Sequence, residues 1–538
     1  MLDIQELDDF VCLQLARQDL AQCARVCKKW HSTVTPYLWR DLSWIDSTNS
    51  GRTHAFSRIV VEDYLYRMLA HEGHTEPPAQ AQPSTYLPAL SKYGNWIRLL
   101  PDPHSLHDAL HAFVTGQDKV PTAYELVLHL FKRCSPDVRV DSLRMSTEDL
   151  NLEPDDPKES ILEFCLPRLR HLIMSFHSSP EMVSTLMDLL DRCSTAMEAL
   201  DLDIKISMDT KEDVKKDRTE EEPKVWMALK ELTLHRCVDR SNTKFFWSWL
   251  MKRCSSVEQL RVDRCIGTAQ SLTKGMLAHM PNLSDITLGY DTHSAACMTQ
   301  DGISALSSGS RSGWKMVRLG ARAAFGKEII DALGQHFSSL AILDMTGYVG
   351  ASGNDVVQVL RSCTNLQALV INDVQYDWST SLDANVFMDV DSDTGSIKPW
   401  ACERSLKVLK LEVIGIPRPD LKRNRDDEEY PGQGREIQGR VYDRLARLTN
   451  LERLRLGRDS YDGNPQCLEM SLESGLDKLS GLKRLNELSV KRMATRIGVK
   501  EVQWIAEHWP RMRAFYGLYN KKAATWLREN RPEIKLTG

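Results

Sequence analysis

The feature that most constrains this chain is an apolar triplet, Leu-x-x-Leu-x-Leu or a close variant, that recurs between residues 169 and 490. It stands at Leu169/Leu172/Met174, Met197/Leu200/Leu202, Leu229/Leu232/Leu234 and Val257/Leu260/Val262. It continues at Leu283/Ile286/Leu288, Trp314/Val317/Leu319, Leu340/Leu343/Met345 and Leu366/Leu369/Ile371, and ends at Leu406/Leu409/Leu411, Leu451/Leu454/Leu456 and Leu485/Leu488/Val490. Loose apolar matches arise by chance in a chain that is 42% hydrophobic, so phasing has to decide. Successive starts lie 28, 32, 28, 26, 31, 26, 26, 40, 45 and 34 residues apart. Eight of the eleven also have an apolar residue three positions upstream: Leu166, Trp226, Cys254, Met280, Phe337, Cys363, Leu448 and Leu482. Ahead of the triplets run segments with helical apolar spacing, as in FFWSWLMKRCSSVEQLRV and NDVVQVLRSCTNLQALVI.

This pattern resembles the leucine-rich repeat, whose units run about 20–29 residues. The resemblance implies an α/β fold in which each unit is a short strand followed by a returning helix. No unit buries its apolar face alone, so neighbours stack into one core. The expected architecture is a right-handed solenoid, or horseshoe, with parallel strands on the concave face and helices on the convex face.

The array is expected over 121–520, after a linker and degenerate first units over 46–120. AYELVLHLFKRCSPDVRV has a helix and turn before a broken triplet, and NWIRLL reads as an earlier strand. Residues 71–85 hold three prolines and no apolar periodicity, so they read as a flexible loop. Polar insertions near 208–224, 374–398 and 418–440 account for the long spacings and are expected to project as mobile loops. Residues 501–518 read as a last, imperfect unit, and 521–538 as a C-terminal cap or tail.

Residues 1–45 have a different organisation. Leu7, Phe10, Val11 and Leu15 follow helical spacing, Asp19 with Gln22 fits a capping box, and Leu20, Cys23, Ala24 and Cys27 form a second apolar stripe. A third short helix is expected around Leu38, Trp39 and Leu42. So small a helical core is marginal by itself and gains from burial against a partner. The segment resembles an F-box, matching it at Glu6-Leu7, Val11, Leu15, Asp19-Leu20, Val26-Cys27-Lys28-Lys29-Trp30 and Leu38-Trp39-Arg40. It departs from that family at the start, where the Leu-Pro dipeptide is missing and Gln5 stands near the proline position. The resemblance implies docking on the Skp adaptor of SCF-type ubiquitin ligases and, through it, on a cullin. It places Glu6, Leu7, Val11, Leu15, Leu20, Val26, Trp30, Leu38 and Trp39 in the adaptor-binding module, with Leu15 and Trp30 also candidates for its internal core. The alternative is a helical cap that shields the end of the array.

Composition and motifs narrow the remaining functions. A formal net charge of −5 argues against a nucleic-acid partner. No run approaches the roughly 18 apolar residues of a membrane span. The acidic N-terminal decapeptide lacks the features of a secretory signal, so a cytoplasmic or nuclear location is expected. The thirteen cysteines contain no C-x-x-C pair and read as small buried thiols. No P-loop, dinucleotide fingerprint, H-E-x-x-H or G-x-S-x-G occurs, and no catalytic residue or cofactor is assigned. His104, His107 and His111 are helix-spaced, with Asp108 beside them, and read as a polar helix face rather than a metal site.

A protein client would meet the residues that alternate with the inner leucines, since successive strand side chains point to opposite faces. Asp201, Asp203, His235, Asp263, Asp344 and Glu412 are among them. The basic members Arg261, Arg318, Lys410, Arg453, Arg455 and Lys491 are the candidate client-binding residues, and the last three units lean basic. The function expected is substrate recognition for a ubiquitin ligase. The alternative is a leucine-rich-repeat scaffold or regulator unconnected with ubiquitination.

Overall fold

The computed structural model describes Gln22, Val34, Tyr37, Leu38, Arg40, Val60 and Ile97 singly, and then continuous segments. These are 99–100, 103–114, 123–134, 138–146, 157–178, 181–193, 195–206, 225–236, 244–263, 279–288, 306–307, 310–319, 326–346, 351–371, 381–391, 393–416, 432–456, 468–491, 493 and 497–537. The chain divides into two compact units, 1–233 and 234–538.

In the first unit, β1 (Leu99–Leu100) is followed by α1 (Pro103–Val114), α2 (Ala123–Arg133) and β2 (Arg139–Ser146). Then come α3 (Pro157–Cys165), β3 (Leu169–Ser178), α4 (Glu181–Arg192) and β4 (Ala199–Ile206). All four strands pair in parallel in sequence order. The expected early strand at NWIRLL is β1, and the degenerate AYELVLHLFKRCSPDVRV supplies α2 and the start of β2. Strand β5 (Glu231–His235) spans the junction between the units.

The second unit repeats the scheme with shorter strands. Helix α5 (Lys244–Arg253) precedes β6 (Gln259–Asp263), β7 (Asp285–Leu288) and β8 (Met316–Leu319). Next are α6 (Gly326–Leu333), β9 (Ile342–Asp344), α7 (Gly353–Ser362) and β10 (Ala368–Val370). Strand β11 (Ser381–Asp383), α8 (Ala384–Met388), β12 (Val408–Lys410), β13 (Glu412–Ile414), α9 (Gly432–Ala446) and β14 (Arg453–Arg455) follow. The unit closes with β15 (Glu487–Ser489), α10 (Val499–His508), β16 (Ala514–Tyr516), α11 (Lys521–Asn530) and β17 (Lys535–Thr537). One parallel ladder runs from β6 to β17, leaving out β11 and β13, which pair with each other.

The periodic apolar residues have a direct structural meaning. The middle leucines stack in register, Leu343 against Leu369, Leu369 against Leu409, and Leu454 against Leu488, all buried. The first triplet residue donates its N–H to the carbonyl three positions upstream, as in Val257 to Cys254, Leu283 to Met280, Leu451 to Leu448 and Leu485 to Leu482. The upstream apolar residue is therefore the first corner of the turn that feeds each strand, and it is buried with the strand. Neighbouring turns are joined in the same way: the N–H of Gln367 donates to the carbonyl of Ala341, Lys407 to Gln367, Glu452 to Lys407 and Asn486 to Glu452.

Two expectations require correction. Near 374–398 the sequence reads as a projecting loop, but 381–388 form β11 and α8, with Leu382, Phe387 and Met388 buried. Helix α8 packs against α7 and α9, so it takes the place of a repeat helix. In the 418–440 insertion, residues 432–440 open α9; 418–431 lie outside the described residues. At the end of the chain, where a cap or tail is expected, 521–537 form a further helix and a paired strand. In each case few apolar residues are needed, because neighbouring units supply most of the core. The insertion 208–224 and the loop 71–85 lie outside the described residues.

Candidate interaction site

The second unit's ladder fixes two rows of outward positions on either side of the buried middle row. One row runs Arg261, Thr287, Arg318, Asp344, Val370, Lys410, Arg455, Ser489, Tyr516 and Thr537. The other includes Val408, Arg453, Glu487, Ala514 and Lys535. Neighbouring strands lie about 4.8 Å apart, so adjacent members can touch one ligand.

The six basic candidates do not form one patch. Arg261 and Arg318 are exposed and flank Thr287, with Asp344 following Arg318 in the row. Lys410 and Arg455 are register partners further along, and Lys410 is half-buried. Arg455 is only 9% exposed, contrary to the expectation of an open sheet residue. Val370 and Ser489 in the same row are also buried, so the row is covered along this stretch. Alternation fixes a side chain's direction, not what lies over it. Glu412 is likewise buried, at 2% exposure, because it belongs to β13 and pairs with Ser381 of β11. Arg453 stays exposed, 3.7 Å from Glu487 on the next strand. Lys491 lies just past β15, half-buried, where Gly517 has no Cβ to collide with its backbone.

Arg453 instead faces residues the sequence reading passed over. It lines a polar cleft of about 630 Å³ together with Asn486, Arg511, Arg513, Arg531 and Glu533. The Arg531 guanidinium is anchored, donating to the carbonyl oxygens of Ala506 at 2.8 Å and Pro510 at 3.2 Å, and to the Glu533 carboxylate. That guanidinium holds the Glu533 carboxyl below its ordinary pKa. The RMRAF run carrying Arg511 and Arg513 is legible as basic, but it sits in a segment that reads only as a last, imperfect unit.

Elsewhere the site residues are less informative. His107 and His111 stack with ring centroids 5.7 Å apart, and Asp108 lies 3.4 Å from His107. Among the described residues, no group of histidine, cysteine or acidic side chains could hold a metal. Among them, too, no helix is long and apolar enough to cross a membrane. Of the adaptor-module candidates, Leu38 is helical and half-buried. Glu6, Leu7, Val11, Leu15, Leu20, Val26, Trp30 and Trp39 lie outside the described residues.

Comparison with known families bears on that N-terminal segment, where residues 10–43 match the F-box-like family. The N-terminal segment is F-box-like. The match contains Val11, Leu15, Leu20, Val26, Trp30, Leu38 and Trp39, and begins after Glu6 and Leu7. No curated protein matches the chain. Among solved structures, a chain of the yeast Rad7 and Elc1 complex is similar at 13% identity and a TM-score of 0.38, over 97% of this chain and 98% of that one. An internalin (inlF) from Listeria monocytogenes is similar at 11% identity and a TM-score of 0.35, over 79% of this chain and 92% of that one. The repeat architecture rests on the parallel ladder and its helices, and the F-box-like segment precedes it in the chain.

Proposed function

We propose that this chain is the substrate-recognition subunit of an SCF-type ubiquitin ligase. The F-box-like segment ahead of a helix–strand repeat array carries that reading. The segment would dock on a Skp adaptor and reach a cullin through it, using the apolar positions Val11, Leu20, Val26 and Leu38. The array would hold a protein client, whose contacts would fall on exposed outward residues such as Arg261, Arg318 and Arg453. The chain's contribution is tethering: it raises the effective concentration of client lysines near a separately recruited conjugating enzyme. That role needs no cofactor and no catalytic residue in this chain, and it would be carried out in the cytoplasm or nucleus.

The test is binding of the full-length protein to a purified Skp adaptor, beside Leu20→Asp and Val26→Asp variants with unchanged circular dichroism. Binding by the wild type alone supports the receptor role. A folded wild type that does not bind leaves a repeat scaffold outside ubiquitination as the better account.

A further inference from the structure

The arginine cleft at the end of the second unit has features that an ordinary solvated surface does not need. It lies where four consecutive units enter their strands. Arg453 opens β14, Asn486 precedes β15, Arg511 and Arg513 precede β16, and Arg531 and Glu533 precede β17. The repeat geometry therefore gathers side chains that are up to 80 residues apart in sequence.

Charge in the cleft is unbalanced. Four guanidiniums meet two carboxylates, Glu533 and the Glu487 that neighbours Arg453. Glu533 is paired with Arg531 through Nε, while Nη1 and Nη2 of Arg531 each donate to a main-chain carbonyl. Arg511 and Arg513 are exposed and make no ion pair among the described residues. Their forked donors match carboxylate and phosphoryl oxygens in geometry as well as charge.

We propose that this cleft binds a peptide segment presenting clustered anionic groups, either carboxylates or phosphoryl esters. At about 630 Å³ it falls within the roughly 300–1,000 Å³ of sites that enclose a small molecule, so it admits several side chains rather than one ion. Its polar wall selects a polar occupant. A nucleic acid is the poorer fit, because it needs an extended basic surface and this chain carries a net charge of −5. Calling the peptide a client rests on the receptor reading above, whereas the charge of the cleft does not.

The experiment is fluorescence anisotropy on the full chain, without any adaptor present, so loss of the ligase reading would leave it intact. Four labelled probes of equal length are compared: a peptide with two phosphoserines, its glutamate counterpart, its unmodified serine counterpart and a single-stranded oligonucleotide. The expected result is binding of one or both anionic peptides, with at least tenfold weaker binding of the serine peptide and the oligonucleotide. The better of the two anionic peptides identifies the source of the charge. Arg511→Glu with Arg513→Glu should weaken anionic-peptide binding at least tenfold at an unchanged melting temperature. Arg511→Gln with Arg513→Gln serves the same comparison if the reversed charges disturb the fold, and Arg513→Lys should fall between. Absence of binding, binding indifferent to these substitutions, or preference for the oligonucleotide would overturn the proposal.

Discussion

Arg444 of α9 donates from Nη1 to the Glu403 carboxylate at 3.0 Å while its side chain is wholly buried. Its Nη2 donates to the Met388 carbonyl at 2.7 Å, and the guanidinium lies 4.4 Å from the centre of the Trp400 ring. Burial pushes the Arg444 pKa down to about 10, so the side chain remains charged at neutral pH. Removing the partner of a fully buried charge leaves that charge uncompensated, which is strongly destabilising. Glu403→Ala should therefore destabilise the protein by about 3 kcal/mol. Arg444→Met should cost less, since Glu403 is partly exposed and keeps Arg447 at 3.1 Å. Urea midpoints of the two variants give the order, and an equal or larger loss for Arg444→Met would refute this account.

A second prediction concerns the residues that read as a projecting loop in the sequence. Phe387 of α8 is fully buried and meets Trp400 edge to face, with ring centroids 5.2 Å apart. Asp389 at the end of α8 is bound by the Arg361 guanidinium from the α7 side. Truncating a buried phenylalanine costs about 3–5 kcal/mol, whereas surface substitutions stay within about 0.5 kcal/mol. Phe387→Ala should thus lower the urea midpoint strongly. A change within the surface range would return the segment to the status of a loop.

Consecutive units are also tied by asparagines in their turns. Asn365 Nδ2 donates to the Ser338 carbonyl at 2.7 Å, and Asn450 Nδ2 to the Arg404 carbonyl at 2.6 Å, while Asn282 reaches Ser255 only at 3.4 Å. A net contribution of about 1 kcal/mol is usual for such a bond. Asn365→Ala and Asn450→Ala should each lower stability by about that amount, and Asn282→Ala by less. Denaturation of the three single variants tests the ranking, which a common loss at all three positions would contradict.

The repeat was legible because each apolar position has one structural duty: turn corner, strand entry or middle row. Leu448, Leu451 and Leu454 show all three duties within one unit. The units that escaped reading lack those marks. Helix α8 is only five residues long and draws its core from Trp400 and Arg444 of neighbouring segments. Helix α9 starts through Gly432 and Gly434 and contains Gly439, each costing about 1 kcal/mol of helix propensity. Its packing against α8 and the turn at Leu476–Gly481 supplies what its composition lacks. At the candidate site, Arg261, Arg318 and Arg453 are exposed, and strand alternation carries no information about cover over Arg455. Arg511, Arg513 and Arg531 converge on Arg453 only through the repeat geometry.

The cysteines give a last prediction, because their reactivity depends on burial that the fold creates. Cys165, Cys193, Cys254, Cys363 and Cys402 are buried thiols, and Cys134 is half-buried. Desolvation pushes the pKa of Cys134, Cys363 and Cys402 up to about 12, and raises that of Cys254 further. Only the thiolate reacts with alkylating reagents, so a thiol near pKa 12 is almost entirely inert at about pH 8. Iodoacetamide applied to the native protein at about that pH should leave these sites unmodified, and labelling in urea should reach all of them. Peptide mass spectrometry reads both states. Rapid native labelling at Cys363 or Cys402 would mean that the packing between α7 and the Cys402 turn opens far more readily than its burial implies.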